Sequence, residues 1–127
     1  MSFWRDWGQL PNKQMQVCIY TCPACQATDL VSEIVDMGTE ILDSVQPECM
    51  DIAYLKREYG KDLVFYGGLS AQEVIPHGTP AEMLEHAKRT YEILGANGGY
   101  IIGPSGSVTS EVSLEKVLTL IDFFKSL

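Results

Sequence analysis

Beyond a polar start containing Pro11 (residues 1–15), short β-rich runs alternate with longer segments whose apolar positions recur every three or four residues. These are the periods of strand and helix. The runs predict strands at Gln16–Thr21, Glu40–Val45, Leu63–Tyr66 and Tyr100–Ile102. After the first, Leu30, Val31, Ile34 and Val35 line one helical face, with Thr28 or Asp29 as cap and Gly38 at the end. Pro47 breaks the second strand, and a helix over Met50–Tyr59 sets Ile52, Leu55 and Tyr59 on one side before Gly60 stops it. Gly67-Gly68 closes the third strand. Thr79, Pro80 and Glu82 then form a capping-box signature for a helix over 80–94. Its expected buried face is Met83, Leu84, Ala87, Tyr91 and Leu94, with Glu85 and Arg89 paired opposite and Gly95 at the end. A last helix over Ser113–Lys125 is expected to pack through Leu114, Val117, Leu118, Ile121 and Phe124.

The connections between successive strands are too long for hairpins and contain helices, so neighbouring strands should be parallel with right-handed crossovers. The fold class is therefore α/β: four βα units on a parallel sheet in residues 16–127, after an N-terminal arm at 1–15. Four units make half of a (β/α)8 barrel, and a complete barrel needs about 250 residues. An open four-stranded parallel sheet is the alternative, which periodicity does not separate from it. Either arrangement leaves two sheet edges that call for a cover or a partner.

Composition narrows the function. With 17 acidic and 9 basic side chains the net charge is −8, and the 46% hydrophobic content supports an ordinary core. The acidic balance opposes binding to nucleic acid or to anionic membranes, both polyanions. No apolar run approaches the roughly 18 residues that span a bilayer. Met1-Ser2-Phe3-Trp4-Arg5 lacks the basic start and apolar middle of a secretory signal, so a cytoplasmic location is expected. Cys18, Cys22, Cys25 and Cys49 are too few and too clustered for a secreted disulfide framework.

Several stretches occur in an ordered series: Asp36-Met37-Gly38-Thr39-Glu40-Ile41-Leu42, Val45-Gln46-Pro47-Glu48, Lys56-Arg57-Glu58-Tyr59-Gly60, Phe65-Tyr66-Gly67-Gly68-Leu69, Pro76-His77-Gly78-Thr79-Pro80 and Gly98-Gly99-Tyr100-Ile101. In order and spacing, Val17 to Leu127 resembles the C-terminal half of the uroporphyrinogen decarboxylase family, which also contains cobalamin-associated methyltransferases. The resemblance implies half of a TIM barrel, with substrates at the C-terminal strand ends. It also implies a family role in decarboxylation of uroporphyrinogen (porphyrin biosynthesis) or in methyl transfer. The family's principal acidic and arginine catalytic groups belong to the half that the resemblance does not cover. A methyltransferase-type zinc site would fall on Tyr20, Cys22 and Gly106, so only Cys22 keeps a ligand. A histidine of the decarboxylase branch also falls at Gly106, and Ser70 stands where an Asp is common.

The residues offer their own candidates. Cys22-Pro23-Ala24-Cys25, between a strand and a helix, is placed like a redox dithiol, or like half of a metal site in which Cys22 and Cys25 bind zinc. Cys49, His77 and His86 are further conceivable ligands, and otherwise no cofactor is expected. Gly103-Pro104-Ser105-Gly106-Ser107 follows a strand and can cradle a small acidic ligand on its backbone N–H groups, or serve only as a βα loop. With Gly67, Gly68 and Ser70 it gives the substrate-binding set Gly67, Gly68, Ser70, Gly103, Ser105, Gly106 and Ser107. Asp43, Glu48 and Glu73 near strand ends are acid–base candidates or solvated loop charges. His77 is expected in a loop near Pro76 and His86 on an exposed helix side, while Trp4 and Trp7 can cover an open edge. A polycarboxylate substrate wants cations, yet the arginines are Arg5, Arg57 and Arg89, none at a strand end. The leading expectation is a truncated uroporphyrinogen decarboxylase-like protein without activity as a single chain. Its partner is expected to be itself, as a homodimer through the sheet edges, or a separate N-terminal half-barrel. The alternatives are a non-catalytic association module and a thiol redox protein.

Overall fold

The computed structural model describes the backbone of residues 17–19 and all of residues 30–127. The strands β1 (Val17–Ile19), β2 (Ile41–Val45), β3 (Val64–Leu69) and β4 (Tyr100–Pro104) form an all-parallel sheet in chain order, so the chain is α/β. The helices are α1 (Val31–Asp36), α2 (Ile52–Tyr59), α3 (Val74–His77), α4 (Pro80–Leu94) and α5 (Leu114–Ser126).

Local chemistry sets the helix starts. Thr79 Oγ1 accepts the Glu82 N–H at 3.2 Å while Glu82 Oε2 accepts the Thr79 N–H at 2.7 Å, with Pro80 at the first position of α4. The two bonds satisfy two amides in that first turn. They also hold the Glu82 carboxyl below its ordinary range, chiefly through the Thr79 N–H. Asp51 caps α2 through the Tyr54 N–H at 3.0 Å, and Ser113 caps α5. At α1 the cap position is Leu30, which makes no side-chain cap, and Thr28 and Asp29 lie outside the described residues.

All five described helices contribute to two apolar clusters on one side of the sheet. One gathers Val31, Leu42, Leu55, Phe65 and Leu94; the other gathers Leu69, Ile75, Met83, Ala87 and Leu120. Parallel strands in sequential order require this when every crossover is right-handed. The opposite side carries a register row, Asp43 beside Tyr66 beside Ile101, continued at its β1 end by position 19. Tyr66 is 39% and Ile101 45% exposed. That side of the sheet is bare among the described residues.

Four expectations need correction. Strand β3 runs on through Gly67-Gly68 to Leu69, and β4 to Pro104, because Gly67, Gly68 and Leu69 keep pairing with Ile102, Gly103 and Pro104. Among the described strands β4 is at the edge of the sheet, where proline is tolerated. The one-turn helix α3 was not foreseen, and it places His77 in a helix rather than a loop. Its signal was the S-x-x-E spacing of Ser70 and Glu73: the Ser70 hydroxyl accepts the N–H groups of Glu73 and Val74 at 3.2 and 3.1 Å. On α4 the buried stripe is Met83, Ala87, Thr90 and Leu94, with Leu84 half-buried and Tyr91 exposed. The Thr90 methyl takes the space that Gly68 leaves over β3. On α5 only Leu120 is buried, with Phe123 and Phe124 against the same cluster, whereas Leu114, Leu118 and Ile121 stand in solvent.

Candidate site at the strand ends

The C-terminal ends of β2, β3 and β4 are tied together by short polar side chains. Ser70, the residue after β3, is buried and donates its hydroxyl proton to the Glu48 carboxylate in the loop after β2. The same oxygen accepts the two N–H groups that start α3. Ser105, the residue after β4, is likewise buried: its Oγ accepts the Ala71 N–H at 3.2 Å and its own N–H donates to the Leu69 carbonyl at 2.7 Å. Ser44 in β2 donates to the Ser105 carbonyl at 2.6 Å. The Ser70 N–H donates to His86 Nε2 at 3.0 Å, so the neutral imidazole carries its proton on Nδ1. His86 is thus half-buried against β3, a correction of the exposed position expected for it. The signal was its spacing, three after Met83 and four before Thr90, beside the buried stripe. Burial holds its pKa below the ordinary histidine value; Glu48 works against that shift, and Arg89 adds to it.

Serine, histidine and glutamate together suggest a nucleophile with its base. The bonds deny that reading for Ser70. His86 is committed to a backbone N–H rather than to the hydroxyl, and the hydroxyl already donates once and accepts twice. Among the described residues no buried side-chain oxygen or nitrogen lacks a partner. The cluster is closed upon itself and acts as a latch between three strand ends.

A cavity of about 310 Å3 opens beside this latch, lined by Gln72, Pro76 and His77 from the β3 side and by Gly106, Ser107, Thr109 and Glu111 from the loop after β4. Its ionisable lining groups are His77 and Glu111. A second cavity of about 420 Å3 lies at the opposite strand ends, around Glu40, Lys61, Asp62 and Asn97. Nearby, Lys56 Nζ donates to the Gly98 carbonyl at 2.6 Å, and burial lowers the lysine pKa.

The substrate-binding set therefore divides by location. Gly106 and Ser107 face the first cavity. Ser70 and Ser105 are brought together in the latch. Gly67 and Gly68 lie inside β3 with φ of +103° and +84°. Gly68 is pressed against α4 and Tyr100: an added Cβ would meet Tyr100 Oη at 2.8 Å and the Leu94 and Thr90 methyls at 3.0 Å. A Cβ on Gly103, within β4, would meet nothing within 4 Å. Tyr100 Oη donates to the Gly67 carbonyl at 2.6 Å, and its burial raises the phenol pKa strongly. Asp43, on the side of the sheet away from the described helices, has its pKa raised by partial burial. Glu73 is exposed. Cys22 and Cys25, like Trp4 and Trp7, lie outside the described residues. Among the described residues no three of His, Cys, Asp and Glu are grouped to hold a metal ion. Burial and the neighbouring Glu48 raise the Cys49 thiol pKa, opposite to what a thiolate ligand needs.

Among the described residues no helix is long and apolar enough to cross a membrane. No family model matches the chain, and no curated protein or solved structure matches it.

Proposed function

We propose that this chain is a half-barrel of the uroporphyrinogen decarboxylase type, an association module that is catalytically silent alone and completes a (β/α)8 barrel with a second set of βα units. The sheet carries the reading. Its strands run parallel in sequential order, its helices pack on one side, and among the described residues the row of Asp43, Tyr66 and Ile101 is left open on the other. In a barrel that side is the interior, filled by side chains from all strands. Tyr66 and Ile101, with half-buried Ile41 and Val64, supply bulk suited to it.

Silence as a single chain follows from the strand ends. The latch saturates Ser70, and Arg57 and Arg89 lie on α2 and α4 rather than at the cavity. Among the described residues, a substrate with many carboxylates would meet Glu111 in that lining, while the ammonium of Lys116 is committed to the Ile75 and Pro76 carbonyls and does not line the cavity. The test is the variant Tyr66→Ser/Ile101→Asp. Association should be lost while thermal stability at nanomolar concentration stays near that of the parent. A large fall in stability at that dilution would mean that the chain itself covers this side, and the reading would fail. Turnover of uroporphyrinogen by the pure single chain would contradict the silent part of it.

A further inference from the structure

Among the described residues, β1 and β4 are the edge strands of the sheet, and the helices that follow them carry matching apolar stripes. Helix α5 follows edge strand β4, and along one side of it Leu114 is 71%, Leu118 51% and Ile121 40% exposed. Those positions, at i, i+4 and i+7, form one line on a helix. Helix α1 follows the other edge strand, β1. There Leu30, 43% exposed, and Met37, 73% exposed, flank buried Ile34 on a single side, again seven residues apart. At 1.5 Å per residue both stripes are roughly 10.5 Å long.

Topology says where each stripe leads. In a ring of βα units every helix packs on its strands and on the helices to either side. Helix α5 already shares the Leu69 and Met83 cluster with α4, and its stripe lies outside that contact. Adding a parallel strand beside β4 would bring the helix after that strand onto the stripe. If the added strand is β1 of another molecule, the incoming helix is α1, and Leu30 and Met37 run alongside Leu114, Leu118 and Ile121 with the helices in the same direction. The exposed charges on α1 are Glu33 and Asp36; on α5, Lys125 continues the stripe one turn beyond Ile121, with Glu115 and Asp122 exposed beside it.

We infer that the second set of βα units is a second copy of this chain, with β4 and α5 of each copy seated on β1 and α1 of the other. This rests on the half-barrel reading. Two identical contacts about one two-fold axis then close the ring and leave no sheet edge.

Sedimentation equilibrium on the full chain tests it, using Met37→Lys, Leu118→Glu and their equimolar mixture. Both positions are exposed, so each variant should keep the parent's circular dichroism. The parent should be a dimer at micromolar concentration, and each variant alone should dissociate about tenfold more readily or worse. In the mixture, one contact joins the introduced lysine to the introduced glutamate and the other keeps the parental Met37 and Leu118, so most of the dimer should return as the mixed species. A dimer weakened by Leu118→Glu but untouched by Met37→Lys, or one the mixture fails to restore, would overturn the assignment of α5 to α1. A strict monomer up to about 100 μM would overturn the second copy. If Tyr66 and Ile101 remain open to labelling in that monomer, the half-barrel reading stands with a different partner; if they are covered, both fail.

Discussion

Gly68→Ala separates a packing role for this glycine from a ligand-contacting one. Two costs follow from its place in β3. A side chain at φ +84° carries a left-handed penalty of roughly 1–2 kcal/mol. The new Cβ would also lie 2.8 Å from Tyr100 Oη and 3.0 Å from the Leu94 and Thr90 methyls, inside a well-packed layer, where overpacking costs about 1–3 kcal/mol. Some strain relaxes when both act at one atom, so a net loss of about 2–4 kcal/mol is expected. At roughly 3–5 °C per kcal/mol for a chain of this size, Tm should fall by about 10 °C. The matched control is Gly103→Ala, where no atom lies within 4 Å and φ is not positive. It should be neutral, or stabilising by up to about 0.5 kcal/mol through reduced freedom of the unfolded chain. Thermal denaturation by circular dichroism at neutral pH reads both. A Gly68→Ala protein as stable as the parent, or a Gly103→Ala protein that loses more, would refute the assignment of Gly68 to the α4 contact.

The latch predicts a pH response. His86 has a depressed folded pKa, so the unfolded chain binds the extra proton first: stability is intact above the ordinary value of 6.5 and is lost as the pH falls below it. Thermal scans at several pH values should show that decline, and His86→Gln, which can still accept the Ser70 N–H, should flatten it; an unchanged slope would count against the bond. Ser105→Ala leaves the Ala71 N–H without its acceptor and should cost about 1–2 kcal/mol in urea denaturation. Thr79→Ala removes half of the capping box and should cost about 1 kcal/mol, read in the same assay.

How much the sequence revealed depended on how local the cause was. The capping box of α4 lies within four residues, so Thr79, Pro80 and Glu82 announced it. The parallel pairing followed from connections that were too long for hairpins and contained helices. The face of α4 was misplaced because Thr90 is polar by type, and its burial depends on a glycine twenty-two residues earlier in another element. The α5 face was misplaced for a related reason: its period is continuous, but the packing available from α4 and the Leu69 cluster covers only the Leu120 side. At the strand ends Ser70 and Ser105 were legible as small residues after strands. Their joining through Ser44, Glu48 and His86 was not, because three elements meet there and no spacing in one stretch encodes it. The Ser70 and Glu73 pattern for α3 was visible, but Pro76 disguised so short a helix.

Hydroxyl-radical footprinting of Tyr66 and Ile101 across protein concentration addresses the half-barrel most directly. Both side chains are partly exposed on the side of the sheet that no described helix covers, where a second set of βα units would cover them. Strong labelling at nanomolar concentration, giving way to protection as the chain associates, is the predicted result. Labelling that stays high after association would contradict the account, and so would protection already complete in the monomer.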